Sequence, residues 1–112
     1  GTTQLQATND GVTMLEPFVA ITATDSPFTV QTDDKIILVD STNGAVDISL
    51  PAASTAAQRR YIIKDIGGAP AANNITLTAQ SGSVETFASV SIVNPYTAFS
   101  VYSDGNNYWR IS

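Results

Sequence analysis

The chain carries ten Asp and Glu residues against five Lys and Arg, with no histidine and no cysteine. That inventory limits its chemistry. Without histidine it lacks the usual general base and the commonest metal ligand. Without cysteine it lacks thiolate nucleophiles, disulfides and thiolate zinc sites. Neither a G-x-S-x-G elbow nor a G-x-x-x-x-G-K-[ST] phosphate loop occurs. The two glycines of "IGGAP" (66–70) read as a loop. Carboxylates remain. Asp33 and Asp34 are adjacent, so on a strand they would point to opposite faces and serve poorly as an acid/base pair; they read as a turn. Asp40 and Asp47 flank "STNG" (41–44) and would lie close if that segment closed a hairpin, but its oxygen density is too low for a calcium loop. A glycosidase needs two carboxyls about 5–10 Å apart across a cleft, and nothing in the spacing marks such a pair. The expectation is a protein that is not an enzyme and needs no cofactor and no metal.

The basic residues are Lys35, Arg59, Arg60, Lys64 and Arg110, scattered in a chain of net charge -5. This argues against nucleic acid as a partner, which requires clustered cations, and against an anionic membrane surface. No apolar run approaches the roughly 20 residues of a membrane span. "QRRYIIKD" (58–65) concentrates three of the five cations. Arg59, Tyr61, Ile63 and Asp65 alternate with Arg60, Ile62 and Lys64, so neither face of that strand is purely apolar. Two readings stand: solvated charge with an Arg–Asp ion pair inside an oligomer, or recognition of an acidic sugar by the planar arginine fork.

These residues must be positioned by strands. Only 13% of residues are charged, while 43% are hydrophobic, a balance that suits strands and Ser/Thr/Asn loops better than solvated helices. Strands are expected at "FVAITAT" (18–24), "FTVQ" (28–31), "KIILVD" (35–40), "AVDISL" (45–50), "RRYIIKDI" (59–66), "ITLTAQ" (75–80), "SVETFASVSIV" (83–93), "AFSVYS" (98–103) and "YWRIS" (108–112). "KIILVD" is a continuous apolar run, as in a strand buried on both faces. "AVDISL" alternates. Asn43-Gly44 reads as a hairpin turn, and "AASTAAQ" (52–58) as the one helical turn, too short to be a stable helix alone. Short strands at this spacing predict an all-β fold, an antiparallel β-sandwich or barrel-like domain.

The ending "SVYSDGNNYWRIS" (100–112) holds the single tryptophan. Ser103-Asp104-Gly105-Asn106-Asn107 reads as a tight turn between two strands. Tyr108 and Arg110 share one face, Trp109 and Ile111 the other. Trp109 is expected to pack the core and lock the last strand; the alternative is an exposed ring for stacking on a sugar or a partner. Residues 1–17 hold scattered apolar positions, Leu5, Val12, Met14 and Leu15, and read as a stalk or lead-in ahead of a β domain over 18–112. The opening Gly1 suggests a piece excised from a longer chain.

The order of motifs over residues 28–112 resembles a domain near the C-terminus of bacteriophage tail-fibre proteins and of fibre proteins of large viruses. The resemblance rests on Val39-Asp40, Leu50 to Ala53, Arg59 to Asp65, Asn74 to Thr76, and Tyr102 to Gly105 followed by Tyr108 and Trp109. "VETFAS" (84–89) departs from the Ile-Asp-Gly-like turn of many such domains. The resemblance implies a non-enzymatic viral fibre domain at the virion surface. It would form a homotrimer whose lead-in runs along the axis, and would either bind a host-surface glycan or receptor itself or support a part that does. Receptor contacts would then be expected in the polar tip loops, at Asn73, Asn74, Asp104, Asn106 and Asn107. Two other functions compete. A carbohydrate-binding β module of a secreted protein would be monomeric, with a row of exposed aromatics drawn from Tyr61, Tyr96, Tyr102, Tyr108 and Trp109. A catalytic β domain, such as a capsule depolymerase fragment, would need a carboxylate cleft.

Overall fold

The structure is a computed structural model that describes residues 17–111. Apart from Pro17, the lead-in expected over 1–17 lies outside the described residues. Nine strands are found among the described residues: Phe18–Thr22 (β1), Phe28–Thr29 (β2), Ile36–Asp40 (β3), Val46–Leu50 (β4), Arg60–Asp65 (β5), Ile75–Ala79 (β6), Ser89–Ile92 (β7), Ala98–Ser103 (β8) and Tyr108–Arg110 (β9). They form a five-stranded sheet, β1-β3-β5-β8-β9, and a four-stranded sheet, β2-β4-β6-β7.

The all-β reading holds, but the expected antiparallel arrangement gives way to two mixed sheets. From β1 to β6 the chain alternates between the sheets, so strands within each sheet run parallel. Phe18 pairs with Ile36 and Ile36 with Ile62 in one sheet; Ile48 pairs with Phe28 and Leu77 in the other. β7, β8 and β9 then add antiparallel. The "STNG" segment shows why. Ile37 and Val39 of β3 and Val46, Ile48 and Leu50 of β4 are all fully buried. A tight hairpin would set β3 and β4 side by side in one sheet. Facing sheets are about 10 Å apart, and residues 41–45 cross that gap, so the two apolar sets meet in one core. The Asp40 carboxylate starts the corner by accepting a hydrogen bond from the Thr42 amide at 2.9 Å, an Asx turn that directs the chain away from β3.

Three further expectations shift. β1 stops at Thr22, and Ala23–Asp25 form a 3-10 turn. "AASTAAQ" is a chain of turns, with Thr55 N–H donating to the Ala52 carbonyl and Ala56 N–H to that of Ala53; its Ala53 and Ala56 are buried in the core. Of 83–93, only Ser89–Ile92 is a strand. Glu85 (φ 52°) and Thr86 (φ 68°) turn the chain left-handed, so that Val84 and Phe87 bridge each other.

Buried polar groups pin both loop edges. At the edge where β3 and β5 end, the fully buried Asp65 carboxylate accepts from the amides of Gly67 (3.1 Å), Gly68 (3.0 Å) and Tyr96 (2.7 Å). At the other edge Tyr61 O–H donates to the Thr32 carbonyl (2.9 Å) and Tyr108 O–H to that of Pro51 (2.7 Å). The two rings pack tilted, with centroids 6.2 Å apart.

Two predictions follow from these anchors. Asp65→Asn turns an amide donor toward backbone donors, and the expected cost is about 2–3 kcal/mol in urea unfolding; an unchanged midpoint would refute the anchoring role. Burial pushes the phenols of Tyr61 and Tyr108 above the ordinary tyrosine value; for Tyr61, Arg59 opposes the shift and Asp34 and Asp33 add to it. Above about pH 10 the unfolded chain therefore binds fewer protons than the folded one, and stability falls with rising pH. Urea midpoints across an alkaline series should show this decline, with a shallower slope in Tyr108→Phe.

Candidate functional site

The five residues expected to contact a receptor fall on opposite edges of the domain. The loop between β5 and β6 carries Asn73 and Asn74, beside the β3–β4 corner. There the Asn73 side chain donates to the carbonyls of Ser41 (2.9 Å) and Thr42 (3.2 Å), tying two corners together. The Asn74 carbonyl accepts from Val46 N–H, and its side chain is exposed. The β8–β9 turn carries Asp104, Asn106 and Asn107 at the other edge, where β5 begins, because β8 runs antiparallel to β5.

That turn is internally organised. Asp104 accepts from the amides of Asn106 and Asn107 (both 2.8 Å) and from the Trp109 indole N–H (2.8 Å). The indole hydrogen bond, then the two amides, hold the Asp104 carboxyl below its ordinary range. The Asn107 side chain accepts from Ser83 N–H and Oγ, both at 3.0 Å. Asn106 remains exposed.

The alternation read for the last strand holds, but the inward side is the other one. Tyr108 is the core residue, fully buried, while Trp109 stands on the outer face at 38% exposure. Tyr108 can be buried because its hydroxyl reaches Pro51. Trp109 satisfies its N–H on the surface turn instead. Arg110, inward like Tyr108 but at the rim, places its guanidinium 4.4 Å from the Phe99 ring centroid. On the outer face Trp109 pairs with Tyr102, and Tyr102 with Arg60.

Beside this row lies a cleft of about 680 Å³, whose lining includes Thr32, Lys35, Gln58, Arg59, Arg60 and Tyr102. Asp34 also lines it, its carboxylate accepting from Gln31 N–H at 2.9 Å. Sequence reasoning grouped Arg59 and Arg60 with Lys64. The strand separates them: Lys64 sits near the far end of β5, donates to the Tyr96 carbonyl and lies 5.9 Å from that ring's centroid. Lys35 takes its place, because β3 and β5 are parallel and both begin at this edge; Ile62 N–H donates to the Lys35 carbonyl at 2.9 Å. Lys35 was missed as a member of the site because parallel pairing of β3 and β5 was not expected, and Tyr102 because it reaches Arg60 only through the antiparallel pairing of β8 with β5.

The outer faces of the two sheets differ sharply. On the four-stranded sheet, the outward residues are Thr29, Asp47, Ser49, Thr76, Thr78, Ser89 and Ser91, all polar. On the five-stranded sheet, Phe18, Ile36 and Ile62 form one cross-strand row, and Ala20 and Leu38 lie in the next beside Lys64. Phe18 is 64% exposed and Ile36, Leu38 and Ile62 are half-buried.

Neither a scan against protein-family models nor a search of the curated proteins gives a match to this chain.

The Asp104 geometry gives a direct prediction. Trp109→Phe removes the indole donor, so the Asp104 carboxyl should titrate at higher pH than in the parent protein while the β8–β9 turn persists. Carboxyl-detected NMR titration checks this; an unmoved Asp104 curve would show that the indole hydrogen bond does not form in solution.

Proposed function

We propose that this chain is a non-enzymatic domain of a viral fibre, which associates with copies of itself as a homotrimer on the virion surface and attaches to a host surface. The observation that carries this reading is the apolar outer face of the five-stranded sheet, set against the wholly polar outer face of the other. Contiguous exposed apolar surface marks an interaction site more reliably than scattered residues do. A second copy laid against Phe18, Ile36, Leu38 and Ile62 would cover it. The ordered motifs shared with tail-fibre domains supply the choice of a fibre and of threefold assembly.

A specific observation favours a second reading, a carbohydrate-binding module of a secreted protein. Tyr102 and Trp109 are cross-strand neighbours on the outer face, a pair of rings suited to stacking on a sugar. That module would work as a monomer, so oligomeric state separates the two readings.

Light scattering on the full chain is expected to give the mass of three chains. Ile36→Glu places a carboxylate between Phe18 and Ile62 in the apolar row, where covering it costs several kcal/mol, and should give monomers with unchanged far-UV circular dichroism. Thr76→Glu, on the polar face, should leave the mass unaltered. A parent protein that is monomeric at all concentrations would overturn the fibre reading.

A further inference from the structure

We infer that the cleft between Lys35, Arg59, Arg60 and Tyr102 is a binding site for an acidic saccharide, a sugar that carries a carboxylate. This goes beyond the self-association reading, since the lining named here comes from one chain. Three of the chain's five cationic residues line one depression, although the net charge of the chain is -5. Against them stands Asp34 alone among the lining residues, with one oxygen already engaged by the Gln31 amide. Among the described residues no side chain hydrogen-bonds to the Lys35 ammonium or to the two guanidinium groups. Their donors are therefore available to a ligand, whereas the cation left out of the cleft, Lys64, is satisfied by the Tyr96 carbonyl.

The surroundings suit a sugar rather than a bare ion. The half-buried Tyr102 offers a ring face and a hydroxyl, and Thr32 and Gln58 offer neutral hydrogen-bonding groups. A volume of about 680 Å³ is within the range of small-molecule sites. Arginine forks match a carboxylate in two parallel hydrogen bonds. The backbone is also specialised here: Gln58 adopts φ 66°, with its amide donating to the Ser103 carbonyl at 2.8 Å. That bond fixes the wall from which Arg59 and Arg60 emerge. Strained residues held in this way concentrate at ligand sites.

The test is an NMR titration of the isotope-labelled full chain with a glucuronate oligosaccharide, a glucose oligosaccharide of equal length, and sodium phosphate. The glucuronate oligomer is expected to shift the amides of Thr32, Lys35, Arg59, Arg60 and Tyr102 saturably, and more weakly as salt is raised. Arg59→Gln, Arg60→Gln and Lys35→Gln, each checked for an otherwise intact spectrum, should each weaken binding about 10-fold. Equal response to the neutral oligomer, equal response to phosphate, shifts confined to Asn73 and Asn74, or no saturable shift would each overturn the proposal. Light scattering on the same samples keeps a failure of this site apart from a failure of self-association.

Discussion

The Asp65 carboxylate ends β5 inside the protein, and much of the architecture hangs on its three backbone donors. β5 is the strand where the parallel half of the large sheet meets the antiparallel half, with β3 on one side and β8 on the other. One oxygen takes the Gly67 amide; the other takes Gly68 and Tyr96. A single side chain therefore sets both where the chain leaves β5 for the other sheet and where it re-enters as β8. A buried carboxylate costs several kcal/mol to desolvate, and charged hydrogen bonds of about 1.5–3 kcal/mol each offset that cost. The local backbone is shaped to deliver them. Gly68 (φ 74°) and Tyr96 (φ 59°) are both left-handed, and a Cβ on Gly68 would meet the Tyr96 ring at 2.6 Å, so glycine is required there.

The other edge is held in a complementary way. Where Asp65 gathers amides, the hydroxyls of Tyr61, Tyr108 and Ser103 reach out to the carbonyls of Thr32, Pro51 and Ala53. Acceptor and donor anchors together let each crossing between sheets be short without leaving buried backbone groups unpaired. Several motifs behind the tail-fibre resemblance coincide with these anchors. Leu50 to Ala53 supplies two of the accepting carbonyls, Arg59 to Asp65 brings Tyr61 and Asp65, and Tyr108 closes the set. Those motifs thus encode the corners of the fold, while the cleft and the outer faces are built between them.

The strands were legible because inward side chains alternate wherever one face meets the core, as in "AVDISL". Their pairing was not. Asn43-Gly44 is a hairpin signal by residue type, but whether a strand returns beside its predecessor or crosses to a facing sheet depends on which core its apolar side meets, and that is a tertiary choice. The same gap hid the cleft. Lys35 and Arg60 are far apart in sequence and meet only through parallel pairing. Size alone favours Trp109 as the inward ring, but the deciding factor is which aromatic has a buried partner for its polar atom: Tyr108 finds the Pro51 carbonyl, Trp109 only the surface Asp104. "KIILVD" reads as covered on both faces; Ile37 and Val39 are covered by the facing sheet, whereas Ile36 and Leu38 stand half-buried on the outer face.

Association through that outer face, as proposed, would have to overcome the repulsion of copies that each carry a charge of -5. The distribution of charge makes this feasible. The rows Phe18–Ile36–Ile62–Ser100 and Ala20–Leu38–Lys64–Ala98 contain no carboxylate. Asp25, Asp33, Asp34, Asp47, Glu85 and Asp104 lie outside them, and Asp40, paired with Thr22, marks the next row at the edge of the same face. At physiological ionic strength, exposed charges beyond about 8 Å are largely screened, so long-range repulsion between copies is weak while apolar contact acts at full strength. The cations gathered in the cleft stand at the loop edge of the same sheet, beyond the apolar rows. Copies joined by the rows would therefore hold their clefts in a fixed symmetric array. Weak contacts at each cleft would then combine through effective concentration, so a host surface carrying repeated acidic sugars would be gripped by the assembly far more firmly than by one chain.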